Sequence, residues 1–179
     1  MTTPVVILVF GEDANDTAAV KELVLALRPE PARVEIRRAP IVLVKGKDKA
    51  RDQKNVAEIA AVLEQGLLAE GIEQAVAAAT AWEIETWWFL WPDAALAVNS
   101  KWRRPEPPTP EVGRIENAKE AFRQALRPRV RNQRPRDYAK SDSPKITAQV
   151  RAMGLVDRPA GISHSFDRFA EWVRGLTLT

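Results

Sequence analysis

The sequence predicts an α/β fold in which helices flank a mostly parallel sheet and a C-terminal helical extension follows. Five consecutive apolar residues, Val5 to Val9, are typical of a buried strand. After Gly11, apolar residues at positions 20, 23, 24 and 27 have the spacing of the buried face of a helix. A second strand and helix repeat this order, and such a β-α-β-α rhythm favours a parallel sheet.

The individual elements follow from local patterns. The first helix is predicted over about 17–27 and is closed by Pro29 and Pro31. A strand is predicted over 34–37, and the apolar run 41–44 continues or follows it. The stripe of residues 56, 59, 60 and 63 marks the second helix, whereas periodicity does not decide between strand and helix for the alanine-rich segment 75–81. Further helices are predicted over about 114–126, 144–153 and 165–175.

Four of the six tryptophans lie between positions 82 and 91. Trp87 and Trp91 are four residues apart, and Trp88 is three residues from Trp91, so they form one wide apolar face on a helix. Tryptophans can stack on nucleic-acid bases, at about 1–3 kcal/mol per base. A cluster of this kind is more often a core or a partner interface, and we favour that interpretation.

Length and composition limit the classes of protein and of site. At 179 residues, the chain suits one domain with an appended part. We predict an α/β domain over 1–100, and a Pro/Arg-rich linker with a helical extension packed on it over 101–179. The absence of cysteine excludes disulfides and thiolate metal sites, and a single histidine, His164, excludes a multi-histidine zinc site. Between two serines, His164 suits a surface or helix-capping position.

No apolar run approaches the roughly 18–20 residues that a membrane span needs, and no basic leader precedes an apolar segment. We therefore expect a cytoplasmic protein without a membrane partner.

Positive charge is concentrated in one segment. Residues 101–136 carry eleven Lys/Arg and four Asp/Glu, although the formal net charge of the chain is only +3. The prolines at 128 and 135 forbid a regular helix through the arginine-rich end of this segment. Arginine binds phosphate bidentately, so this end predicts contacts with nucleic acid, and its alternative is a solvated loop. Tyr138 and Lys140 follow and could join that surface. The predicted nucleic-acid-binding residues are Arg127, Arg129, Arg131, Arg134 and Arg136.

Acidic residues follow the first strand at once. Glu12, Asp13 and Asp16 lie where open α/β sheets bind ligands, and carboxylates are the ligands of the divalent metals used in phosphodiester hydrolysis. The alternative for Asp16, or for Asn15, is the N-cap of the helix, whereas Glu12 lies too early to be a cap. Glu83 and Glu85 share one face of a strand but not of a helix. Glu83 could complete an acidic site, and its alternative is an ordinary helix start.

Several segments together resemble a known family. They are 5–13, 33–46, 54–60, 81–94 and 115–120, and the most specific is Trp-Glu-Ile-Glu-Thr-Trp-Trp from Trp82. Over most of its length the chain resembles the small Toprim-like proteins (topoisomerase–primase fold), which are nuclease-related and commonly encoded beside ATPases in bacteria. The resemblance implies cleavage of nucleic-acid phosphodiesters with Mg²⁺ or Mn²⁺, an ATPase partner, and a role in defence against phages or plasmids. Glu12 is the expected catalytic residue, and the expected metal ligands are Glu12, Asp13, Asp16 and Glu83.

The chain departs from that family at one element. Toprim domains carry an Asp-x-Asp pair after a later buried strand, and no such pair follows Leu63 here. About one strand and one helix are missing near 64–75, so the chain is a degenerate member or the sequence omits a segment. The alternative function is therefore a catalytically degenerate subunit that binds a partner ATPase or nucleic acid. A small-ligand domain is less favoured, because a Gly-rich phosphate loop is absent. The sequence does not separate DNA from RNA, endonuclease from exonuclease, or a monomer from a homo-oligomer.

Overall fold

A computed structural model describes residues 6–9, 13–28, 33–36, 53–71, 76, 83–128 and 135–176 of the chain. Its strands are β1 (Val6–Val9) and β2 (Arg33–Ile36). Its helices are α1 (Ala14–Leu27), α2 (Gln53–Ala69), α3 (Glu85–Trp88), α4 (Pro92–Val98), α5 (Ala118–Leu126), α6 (Ser143–Ala152) and α7 (His164–Gly175). Short 3₁₀ turns occupy Val112–Arg114 and Lys140–Asp142.

The first strand and helix form where the sequence predicts them. β1 pairs with β2 in parallel, with Val6 opposite Arg33 and Val9 opposite Ile36, and α1 is the connection between the strands. The buried face of α1 includes Leu23, Val24 and Leu27, three of the four residues of the predicted apolar stripe. α1 begins at Ala14, three residues before the predicted start, because Asp13 rather than a later residue caps it.

The predicted fold class is wrong. The described part of the chain is mostly helical, and its only paired strands are β1 and β2, of four residues each. A mostly parallel, Toprim-like sheet is therefore not the architecture of these residues. The predicted strand at 41–44 lies outside the described residues, as does 75–81 apart from Val76. The physical reason is that the apolar side chains after residue 83 are buried between helices, so they do not cover a sheet.

Tryptophans form the centre of the helical core. Trp87, Trp88 and Trp91 are each at most 1% exposed. The Trp87 ring lies 5.5 Å from the rings of both Phe166 and Phe169, and the Trp91 ring lies 4.9 Å from that of Phe166. The core interpretation of this cluster is confirmed for the described tryptophans, and Trp82 lies outside the described residues. These buried rings are not a surface on which bases stack.

The C-terminal helices follow the predicted pattern with shifted ends. α6 and α7 begin within one residue of their predicted starts, and α6 packs along α1. α5 begins four residues later than predicted, because a 3₁₀ turn and Asn117, at a left-handed φ of 47°, precede it. His164 is exposed at the start of α7, which Ser163 caps by accepting the N–H of Phe166 at 3.4 Å. None of the helices in the described ranges is long and apolar enough to cross a membrane.

Candidate functional site at an acidic cluster

Four carboxylates from two distant segments and one lysine interact electrostatically, and we call this group the acidic cluster. Asp13 and Asp16 come from the start of α1, and Glu83 and Glu85 from the start of α3. The lysine is Lys140, at the start of the second 3₁₀ turn. Of the predicted metal ligands, Asp13 and Asp16 thus share Lys140 as a partner, and Glu83 lies close to Glu85. Glu12, the predicted catalytic residue, lies outside the described residues.

Asp13 is the N-cap of α1. Its carboxylate accepts the backbone N–H of Asn15 at 2.7 Å. This hydrogen bond lowers the pKa of Asp13, partial burial raises it, and the charge of Lys140 lowers it, so the pKa lies below its usual value. The predicted cap at Asp16 or Asn15 is therefore wrong, because the helix starts earlier. Asp16 lies in the first turn of α1, where its negative charge interacts favourably with the helix dipole.

Lys140 links the two aspartates. Its ammonium lies 2.9 Å from Oδ2 of Asp16 and 3.6 Å from Oδ2 of Asp13. Partial burial lowers the pKa of Lys140, but the hydrogen bond to Asp16 and the charges of both aspartates outweigh burial and raise it. The side chain of Lys140 is 36% exposed.

Glu83 caps helix α5, although Glu83 itself lies far from α5 in the sequence. One carboxylate oxygen accepts the backbone N–H of Lys119, in the first turn of α5, at 2.7 Å. Asn117, the residue at the cap position, makes no side-chain bond to α5. Glu83 therefore supplies the acceptor that the local sequence lacks, and this bond fixes its carboxylate.

Glu85 is a buried acid beside other negative charges. It is 3% exposed, and one of its oxygens accepts the hydroxyl of Tyr138 at 3.3 Å. Burial raises the pKa of Glu85, and the charges of Glu83 and Asp16 raise it further. The network therefore favours a protonated Glu85 to a higher pH than is usual for a glutamate.

Tyr138, the only tyrosine of the chain, joins the cluster to the core. Its hydroxyl accepts the indole N–H of Trp88 at 3.2 Å and shares a 2.6 Å hydrogen bond with Ser143. Burial and the nearby charge of Glu85 raise the pKa of this phenol far above its usual value, so it stays neutral. The phenol is not free to join a nucleic-acid surface, which was one prediction from its position.

The arginine-rich segment is only partly described. Arg127 is exposed and lies 3.5 Å from Asp137. Arg136 binds both oxygens of Asp142, at 2.5 and 2.7 Å, and lies over the ring of Trp102 at 5.2 Å. Arg136 is thus an anchor of the fold as well as a surface cation. The other three predicted phosphate ligands, Arg129, Arg131 and Arg134, lie outside the described residues.

Carboxylate oxygens are ligands that hard divalent cations prefer, and the acidic cluster offers this type of ligand. The ammonium of Lys140 between two of these carboxylates indicates that the cluster attracts positive charge. Within the ranges that the structure describes, however, no three acidic, histidine or cysteine side chains are placed to hold a metal ion. A complete site would need a further ligand, and Glu12 is the residue that the sequence predicts for it.

No protein-family model, curated protein or solved structure matches the chain. The functional assignment therefore depends on the geometry of the chain itself. Sequence reasoning missed Glu85 and Lys140 as members of the cluster. Their only local signals were the i, i+2 spacing of Glu85 from Glu83 and the position of Lys140 after the basic segment.

Proposed function

We propose that the protein is a divalent-metal-dependent phosphodiesterase that acts on nucleic acid, with the acidic cluster as its site. The observation that carries this proposal is the approach of Asp13 and Asp16, which follow β1, to Lys140, with Glu85 close to Lys140 and Asp16 and with Glu83 beside Glu85. Separate parts of the sequence supply these groups. Local helix capping explains the individual positions of Asp13 and Glu83, but it does not explain why both pairs of acids share one location.

Charge and donor type support the same chemistry. With Lys119, the cluster contains four acids and two lysines, and when Glu85 is protonated the three remaining carboxylates exceed the two lysines by one negative charge. Such a site attracts Mg²⁺ or Mn²⁺, which would polarise a phosphate and activate water. Asp13, Asp16 and Glu12 would hold the ion. Glu83, fixed on α5, would add a negative charge nearby, and Glu85, bonded to Tyr138, would connect the site to the core.

The second candidate is a subunit that binds nucleic acid or a partner ATPase without cleavage. One observation favours it specifically: the described carboxylates already have partners within the protein. Lys140 pairs with both aspartates, and Glu83 accepts the Lys119 N–H. In this function the lysine permanently replaces the metal, and the basic segment from Arg127 to Arg136 holds the partner.

Cleavage assays separate the two candidates. Supercoiled plasmid, single-stranded DNA and RNA are incubated with purified wild type and Mg²⁺ or Mn²⁺, beside Glu12→Gln and Asp16→Asn. Glu120→Gln is the matched control, since Glu120 is exposed on α5 outside the cluster. We expect metal-dependent cleavage that the two cluster variants reduce by at least 100-fold and the control leaves unchanged. No cleavage by folded wild type, together with nucleic-acid binding, would favour the binding subunit.

A further inference from the structure

We draw no further inference here: the strongest candidate, the proline-rich surface segment 104–110 between α4 and the first 3₁₀ turn, carries none, because Arg104 already pairs with Asp93, Pro105 is buried, and nothing in the structure shows what covers the exposed prolines of this segment.

Discussion

A single hydroxyl connects the acidic cluster to the tryptophan core. Tyr138 contacts Trp88, Ser143 and Glu85 through this one atom, and all four residues are at most 3% exposed. Buried polar groups are costly unless they are hydrogen-bonded, and this arrangement satisfies several of them together. Glu85 differs from the other three residues because it can ionise. Its ionisation would place a negative charge in the core close to the charges of Glu83 and Asp16.

Glu85→Gln should therefore alter how stability depends on pH. Because the folded-state pKa of Glu85 is raised, its favourable contribution is complete below the unfolded pKa and is lost as pH rises through the folded pKa. Relative to wild type, the variant should gain about 1.4 kcal/mol for each pH unit between the two pKa values. Urea unfolding from pH 4 to 8 measures this gain. A difference that stays constant with pH, or that Glu120→Gln reproduces, would contradict the argument.

Helix ends in this protein are completed by both local and distant residues. α1 is capped by the residue before it, because the carboxylate of Asp13 accepts the backbone N–H of Asn15, two residues later in the chain. α5 has no local side-chain cap and depends on Glu83, which is remote in sequence. Both caps belong to the acidic cluster, so the ends of two helices determine where its charges lie.

Replacing the distant cap should destabilise the fold. We expect Glu83→Ala to lower the free energy of unfolding by about 1 kcal/mol, the usual cost of losing an N-cap acceptor. Glu83→Gln should lose less, because its amide oxygen still accepts the Lys119 N–H. Urea unfolding monitored by circular dichroism measures both. Glu116→Ala, an exposed site just before α5, is the control, and a Glu83→Ala protein as stable as this control would refute the cap.

At the scale of the whole molecule, aromatic packing joins the middle of the chain to its C-terminal helix. Trp87 is completely buried, stacks on Phe169, meets the edge of Phe166, and donates its indole N–H to Ser165 at 3.0 Å. These contacts make α3 and α7 parts of one core. The predicted division into 1–100 and 101–179 remains a prediction, although buried residues from both ranges share that core.

Trp87→Ala should cost about 3–5 kcal/mol, as expected when a large buried aromatic side chain is removed. The loss should appear as a lower urea midpoint and weaker near-UV circular dichroism. Trp172→Ala is the matched control, because Trp172 lies on α7 and is only partly buried. Equal losses in the two variants would show that the core is not centred on Trp87.

Local patterns predicted more of the elements than of their assembly. The apolar run that includes Val6–Val9, the stripe ending at Leu27 and the predicted starts of the last two helices all correspond to observed strand or helix positions, because these signals act within a few residues. The fold class was wrong, since an early β-α-β rhythm was extended over a chain whose later apolar residues pack between helices. Hydrophobic periodicity in a sequence indicates which side chains are buried, but it does not indicate whether a sheet or another helix packs against them.

The sequence by itself determined the chemical inventory: carboxylates after the first strand, a concentration of arginine, and no cysteine. It also determined α1, α6 and α7 to within a few residues at their starts. Only the tertiary structure decided that Glu85 lies close to Asp16, that Lys140 pairs with both aspartates, and that Tyr138 is buried. The reason is physical. Helix formation and capping depend largely on neighbours in the chain, whereas an electrostatic cluster depends on distances that the packing of the whole core sets.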